Sequence, residues 1–510
     1  MACSTSVQAW HVKFPHSKWL RMVIGAVAIL VIAIGFASYL MYPAFKLPPP
    51  PEFQRPGSQK EANEQDIAYL KYALHAADRS FSPAEWDAFV RQIDELSERA
   101  GALDAASLEL GLARAVAISD NGHTNVLGAG WGLTLNSVPL RFYWFADGLY
   151  IIKADPAYSD LLGAKVLAIG ERTPDELSRF FRSYVGGPDS LAREFSVRFM
   201  ESPEVLQSAG LQNSPSRMEL TLQTLEGDVV ERSVAAVPVP VTGPAPEKSE
   251  LTLRFDPREL YWPRRDLSPV PLPGDAPYPK PVEDGRQWVH LLGATDTPVT
   301  LQEPNRFYWA TELAGGRALF IQINVTFDEP GQEPLEGFLE KILEDASAEP
   351  PRFAILDLRS NPGGSYQKTA GFAKKLPALI PHDGKIFILT SGNTFSAGIV
   401  TTARLKYHAG SRGEIVGEPM GDDPQFWAEA ATRIVLPNSG LRVAYATGYH
   451  DWENGCPLSR LFRCYLPNYF LGVAAGSLEP TLPVAWSFAD YREGKDTALE
   501  AIMEIIAAAE

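Results

Sequence analysis

A chain of 510 residues is too long for one compact core, so its length points to two to four domains. Its 45% hydrophobic and 21% charged residues match a folded globular protein, and a net charge of −16 without a basic face excludes nucleic acid as the main partner. The three cysteines, Cys3, Cys456 and Cys464, form no Cys/His set of zinc-site spacing, and there is no H-E-x-x-H, so neither a metal nor a cofactor is expected.

In chain order, Met22 to Tyr42 comes first. It carries no charge and is long enough to span a bilayer as a helix. Lys13, Lys18 and Arg21 precede it and only Lys46 lies just beyond, so the positive-inside rule makes residues 1–21 a cytoplasmic tail and 22–42 a single-pass anchor. The expected location is a bacterial inner membrane with the bulk of the chain outside the cytoplasm. A cleaved signal peptide is the alternative, but the apolar run is long and no A-x-A site follows it. Residues 43–60 are a proline-rich tether. On the oxidising side Cys456 and Cys464 are close enough in sequence to close a small disulfide loop, although two unrelated thiols would read the same.

Residues 61–125 read as a helical subdomain. Ile67, Leu70, Tyr72 and Leu74 form one apolar cluster, Ser82-Pro83-Ala84-Glu85 is a capped helix start, and a third helix over 105–118 ends in SDNGHT. Residues 126–235 read as a small β-rich module. Its GLYIIKADPAYSDLLGAKVLAIGERTPDEL stretch resembles a circularly permuted PDZ domain, which would bind an extended peptide at a sheet edge. Residues 236–305 are thick with proline and read as a linker or surface strap, interrupted by one strand-like piece at 251–255.

From 306 to 510 strands and helices alternate, which implies a largely parallel sheet covered on both faces. Phe353–Leu358 and Lys385–Thr390 are buried strands. The first runs into Asn361-Pro362-Gly363-Gly364, and the second into a loop that opens a helix near Ser396. D-L-R-x-N-P-G-G at 357–364, T-F-S-A-G at 394–398 and V-G-E-P at 416–419 together resemble the S41 family of serine peptidases, the tail-specific and tricorn-type proteases. LPNSG at 436–440, LEPTLPV at 478–484 and the helices ending in DNGHT fit the same family in the same order. The resemblance implies an α/β fold with a ClpP/crotonase-like core, and a protein or peptide as substrate. A homo-oligomer is left open.

A serine hydroxyl needs a base within hydrogen-bond reach. Tail-specific members of the family use a lysine roughly 25 residues after the serine, and here that stretch reads GEPMGDDPQFW, with Met420 where a threonine is usual. Lys406, on the serine's own helix, is too far along the axis to serve. The resemblance therefore implies the tricorn-like arrangement: Ser396 as nucleophile, His123 as base, and an acid from HDWENG, Glu453 with Asp451 as the near alternative. Gly363, Gly364 and Ala397 would supply oxyanion-hole amides. Arg359 either orients the loop or meets a substrate carboxylate, while His450 and His408 are rival bases outside any motif. On residues alone, Ser396 or Thr394 is a helix N-cap. The competing function is a catalytically silent relative that binds peptides or hydrophobic ligands.

Overall fold

The computed structural model describes residues 51–127, 135–238, 287–293, 297–430, 432–460 and 463–509, with short stretches at 25–32, 35, 47 and 267–269. Most of the expected anchor, the 1–21 tail, Cys3 and the 251–255 piece lie outside them. Residues 25–32 are helical and expose Val27, Ile29, Leu30, Val31 and Ile32. Among the described residues no helix is long and apolar enough to cross a membrane.

Three helices open the described body: α1 (Gln59–Ala77), α2 (Pro83–Glu98) and α3 (Ala105–Val116). Each has a side-chain N-cap, from Ser58, Ser82 and Asp104, and Ser82 closes a reciprocal capping box with Glu85. Ile67, Leu70 and Leu74 of α1 are buried as expected, but Tyr72 is exposed and Tyr69 takes its place. Position 72 falls off the i, i+3, i+7 stripe that faces α2 and α3. This helical layer packs on a small sheet of β1 (Val126–Leu127), β15 (Arg442–Val443) and β14 (Ile434–Val435), so the N-terminal helices share a core with a late segment of the chain.

The second region holds an antiparallel sheet in the order β2 (Leu140–Phe145), β3 (Gly148–Ala154), β4 (Lys165–Ile169), β5 (Arg217–Gln223), β6 (Val229–Ala235). A short strand, β7 (Val289–His290), pairs with β3, so this described end of the proline-rich segment is stitched to the sheet. The region is less purely β than its sequence suggests. Helix α4 (Pro174–Phe181) starts at a Thr173 capping box, and α5 (Asp189–Met200) and α6 (Pro203–Ser208) follow it. They close the core with Leu191, Val197, Phe199, Met200, Val205 and Leu206.

The C-terminal region is a six-stranded sheet ordered β17 (Leu482–Pro483), β12 (Gly413–Gly417), β11 (Lys385–Thr390), β10 (Phe353–Asp357), β9 (Ala318–Ile323), β8 (Tyr308–Leu313). All neighbours are parallel except the β8–β9 edge pair. Alternation along β10 sends Ala354 and Leu356 toward α7 (Leu335–Ala348), α8 (Ala370–Leu379) and α9 (Ala397–Ala409). Phe353 and Ile355 face α11 (Thr497–Ala508), which follows the short α10 (Phe488–Arg492). With both faces covered, every residue of β10 is buried. Outside this sheet, β13 (Gln425–Ala428) and β16 (Gly448–Asp451) form an antiparallel pair. The Cys456 and Cys464 sulfurs are bonded just beyond β16, with their Cα atoms 6.1 Å apart.

Candidate active site

The loop after β10 is held by buried polar groups. Arg359, 3% exposed, donates to both oxygens of Asp357 and of Asp496, so it ties the strand end to the N-cap of α11. A substrate carboxylate cannot reach it, and of its two expected roles only the structural one is left. Asn361 Nδ2 donates to the Ile323 carbonyl (2.9 Å), and its Oδ1 accepts the Gly363 N–H (2.9 Å). Gly363 therefore already spends its amide on Asn361, against the expectation that it serves an oxyanion hole. The Gly364 amide, and that of Ala397 in the first turn of α9, have no acceptor among the described residues.

Both glycines are required. Gly363 has φ +124°, and a Cβ there would lie 2.8 Å from Ser396 Cβ and 3.2 Å from its hydroxyl. Gly364 has φ +135°, and its Cβ would meet the Thr326 carbonyl oxygen at 2.4 Å.

Ser396 sits at the N-cap position of α9 with φ 52° and ψ −113°, a conformation that costs a non-glycine residue about 1–3 kcal/mol. Its side chain makes no capping hydrogen bond. Thr394 does not cap α9 either: its hydroxyl donates to the Leu358 carbonyl (2.9 Å) and accepts the Ser391 N–H (3.0 Å), which locks the turn. A strained strand-to-helix turn that lifts an unengaged serine beside two open amides is the layout of a nucleophile elbow.

His123 arrives from the far end of the helical region. Asp120 takes a left-handed conformation (φ 44°) after α3, and the loop is then pinned through Thr124. The Thr124 hydroxyl donates to buried Asp78 (2.9 Å), which also accepts the Ser80 N–H, the Ser80 hydroxyl and the Ala446 N–H at 2.6–2.8 Å. Burial pushes the Asp78 carboxyl up, and these donors pull it back. Sequence reasoning missed this anchor because Asp78 lies 45 positions before His123 with no motif between them.

The His123 ring is stacked between Phe395 (centroids 4.2 Å) and Phe426 (5.2 Å). Its Nδ1 lies 3.2 Å from Asp422 Oδ2, with the side chains 15% and 5% exposed. Its Nε2 is buried without a hydrogen-bond partner, so no hydrogen bond joins it to Ser396. Burial lowers the His123 pKa to about 3; His450 and Arg433 add to this and Glu429 opposes it. Burial also pushes Asp422 well up, helped by Asp423 and Asp120. Each group of the pair thus resists carrying a charge by itself. In the Nδ1–H tautomer the ring donates a hydrogen bond from Nδ1 to Asp422 Oδ2, which leaves the Nε2 lone pair for a base.

The expected acids lie elsewhere. Glu453 accepts from Gln425 Nε2 (2.9 Å), and Asp451 pairs with Arg460 (2.9 Å) and accepts the Asn454 N–H. Strand parity explains Asp451: Phe426 pairs with His450 and Gln425 with Asp451, so when Phe426 faces His123 its neighbours point to the opposite face. Asp422 lies in the GEPMGDDPQFW stretch, where a lysine dyad would have put its base. Asking that stretch for any titratable partner, rather than for lysine alone, is the signal that finds it.

The rival histidines are accounted for as well. His450 is 1% exposed, with Nδ1 3.0 Å from Asn468 and Nε2 3.2 Å from Glu429, a charge contact without hydrogen-bond alignment. His408 packs by Tyr407 in the last turn of α9, and Lys406 donates to the Ser477 carbonyl.

His123, Gly363, Gly364 and Ser396 line one cavity of about 310 Å³, together with Tyr366, Glu429, Tyr445 and Tyr465. Among the described residues no three His, Cys, Asp or Glu side chains converge as metal ligands.

No family model matches the sequence, and no curated protein matches it. Solved structures do. Mature CPAF complexed with lactacystin superposes with a TM-score of 0.53 at 12% identity, covering 88% of this chain and 99% of that one. Mature CPAF gives a TM-score of 0.51 at 13% identity, and a serine-to-alanine mutant of CPAF gives 0.52 at 14%; both cover 88% of this chain and 96% of theirs. The chain shares the CPAF fold, mixed α/β with N-terminal helices.

Proposed function

We propose that this chain is a serine endopeptidase of the S41 type, with Ser396 as nucleophile, His123 as base and Asp422 as the acid that orients it. One observation carries the reading: an uncapped, strained Ser396 shares a cavity with a carboxylate-backed His123, held neutral by burial, and with Gly364, whose amide is unengaged. Ser396 Oγ attacks the substrate carbonyl carbon as its proton passes to His123 Nε2, and the new oxyanion is met by the Gly364 and Ala397 amides. The C–N bond then breaks, and the imidazolium returns the proton to the leaving amine. Water repeats the cycle on the acyl-enzyme, with His123 taking the water's proton and giving it back to Ser396. Asp422 stabilises the imidazolium in both halves.

The missing Ser396–His123 hydrogen bond is compatible with a free enzyme whose contacts tighten around substrate. It also favours a second reading, a silent scaffold that binds peptides in the same cavity. In either case residues 22–42 anchor the chain in a bacterial inner membrane with the bulk of it outside, and the 126–235 module holds an extended peptide segment.

The deciding experiment is labelling of the purified chain with a fluorophosphonate probe. Ser396 is expected to be modified, and Ser396→Ala and His123→Ala each to abolish it. An unlabelled wild type, with peptides still binding, would select the silent scaffold.

A further inference from the structure

The rings around His123 form a continuous stack. Phe395 covers one face at 4.2 Å and 27°, and Phe426 covers the other at 5.2 Å and 11°. Phe426 is backed by the His450 ring at 4.9 Å and 7°, and His450 by Tyr465 at 5.7 Å and 25°. The two rings against His123 differ in origin. Phe395 precedes Ser396 and belongs to the nucleophile's own turn. Phe426 belongs to β13 and is held by the cross-strand pair Phe426–His450. His450 cannot yield easily, because Asn468 and Glu429 face its two ring nitrogens.

We propose that Phe426, braced by His450, is the positioning residue that locks the His123 ring plane so that Nδ1 stays on Asp422 and Nε2 keeps its unpartnered lone pair. The proposal rests on His123 being the base. Rotation about χ2 would have to sweep the imidazole against the two phenyl rings, whose centroids lie 4.2 and 5.2 Å from its own. A flipped ring would put a carbon where Nδ1 now meets Asp422 and would leave the Nε2 lone pair misdirected. Sliding within the plane is limited by the Asp422 contact at 3.2 Å.

The same packing buries most of the imidazole, leaving 15% of the side chain exposed. Asp422 touches the ring; His450, Glu429 and Arg433 act on it through space, and Asp423 and Asp120 act on Asp422. Because the folded pKa is depressed, His123 is charged only under strongly acidic conditions, and the base is ready throughout the neutral range. Removing the Phe426 ring would let water in and raise the pKa toward the usual value of about 6.5.

The test uses the full chain and two readouts. The chain has eight histidines, so the His123 Hε1 resonance can be assigned from a His123→Asn variant. In the wild type it should lie upfield through the two ring currents and show no titration above about pH 5, and Ser396 labelling should be flat from about pH 5 to 8. In Phe426→Leu, which keeps the apolar bulk, the upfield shift should shrink and the acid limb of labelling should rise toward about pH 6.5. The labelling rate should fall on the order of tenfold, with reversible probe binding unchanged. Phe426→Tyr, which keeps the plane, should restore the wild-type limb.

A Phe426→Leu protein with the wild-type Hε1 shift, acid limb and rate overturns the proposal. If that variant does not fold, the wild-type spectrum decides, because an unshifted His123 resonance overturns it equally. A wild type that is stacked by this measure but unlabelled at Ser396 refutes the base reading instead, so the two failures are distinguishable.

Discussion

Asp422→Asn is the sharpest perturbation of the site. The side chain keeps its size, and its Oδ1 can still accept the Asp423 N–H. What changes is the atom facing His123 Nδ1 at 3.2 Å, which becomes an amide nitrogen that donates. Nδ1 must then accept, the ring proton moves to Nε2, and the lone pair that should take the Ser396 proton is lost. The lost charge can be sized as well. At 3.2 Å and an effective dielectric of about 20, a carboxylate stabilises the imidazolium by about 5 kcal/mol. That corresponds to a fall in kcat of about 10³–10⁴, the size of effect seen when the buried aspartate of other triads becomes asparagine. Stability should not suffer, since burial already disfavours the charged form of Asp422. The assay is the rate of Ser396 labelling beside the thermal midpoint, with Glu453→Gln as the comparison. Wild-type labelling in Asp422→Asn, together with loss in Glu453→Gln, would refute the assignment and restore the acid expected from sequence.

Two further outcomes follow from the geometry. Gly363→Ala forces a Cβ to 2.8 Å from Ser396 Cβ at a backbone φ of +124°; it should lower unfolding free energy by about 1–3 kcal/mol and abolish labelling, and a variant that labels normally would show that the loop and the serine are not in contact. Reducing Cys456–Cys464, or replacing both with serine, opens a loop of sequence separation 8 and should cost about 2.5 kcal/mol by chain entropy. Equal midpoints for the oxidised and reduced chain in a thermal melt would count against that contribution.

What was legible in the sequence is what depends on a few adjacent residues. The Ser82 cap, the apolar stripe of Ile67, Leu70 and Leu74, the buried run of β10 and the glycines after it are local patterns, and the structure repeats them. Ser396 and His123 were visible because each sits in a short motif whose backbone is built for it, one at a strained helix start and the other at a left-handed turn. The roles of their neighbours depended on register and closure, which no local window contains. The parity of β13 against β16 turned Phe426 and His450 toward the site and Asp451 away, and Asp422, 299 residues from His123, reached it only when the helical region closed on the sheet. Asn361 took the Gly363 amide because the loop folds back on itself, and Arg359 went to Asp357 and Asp496 because the last helix docks on the sheet end. The sequence by itself determined which residues could do chemistry. Only tertiary structure decided which of them touch, because a hydrogen bond or a ring stack is set by distances that chain separation does not fix.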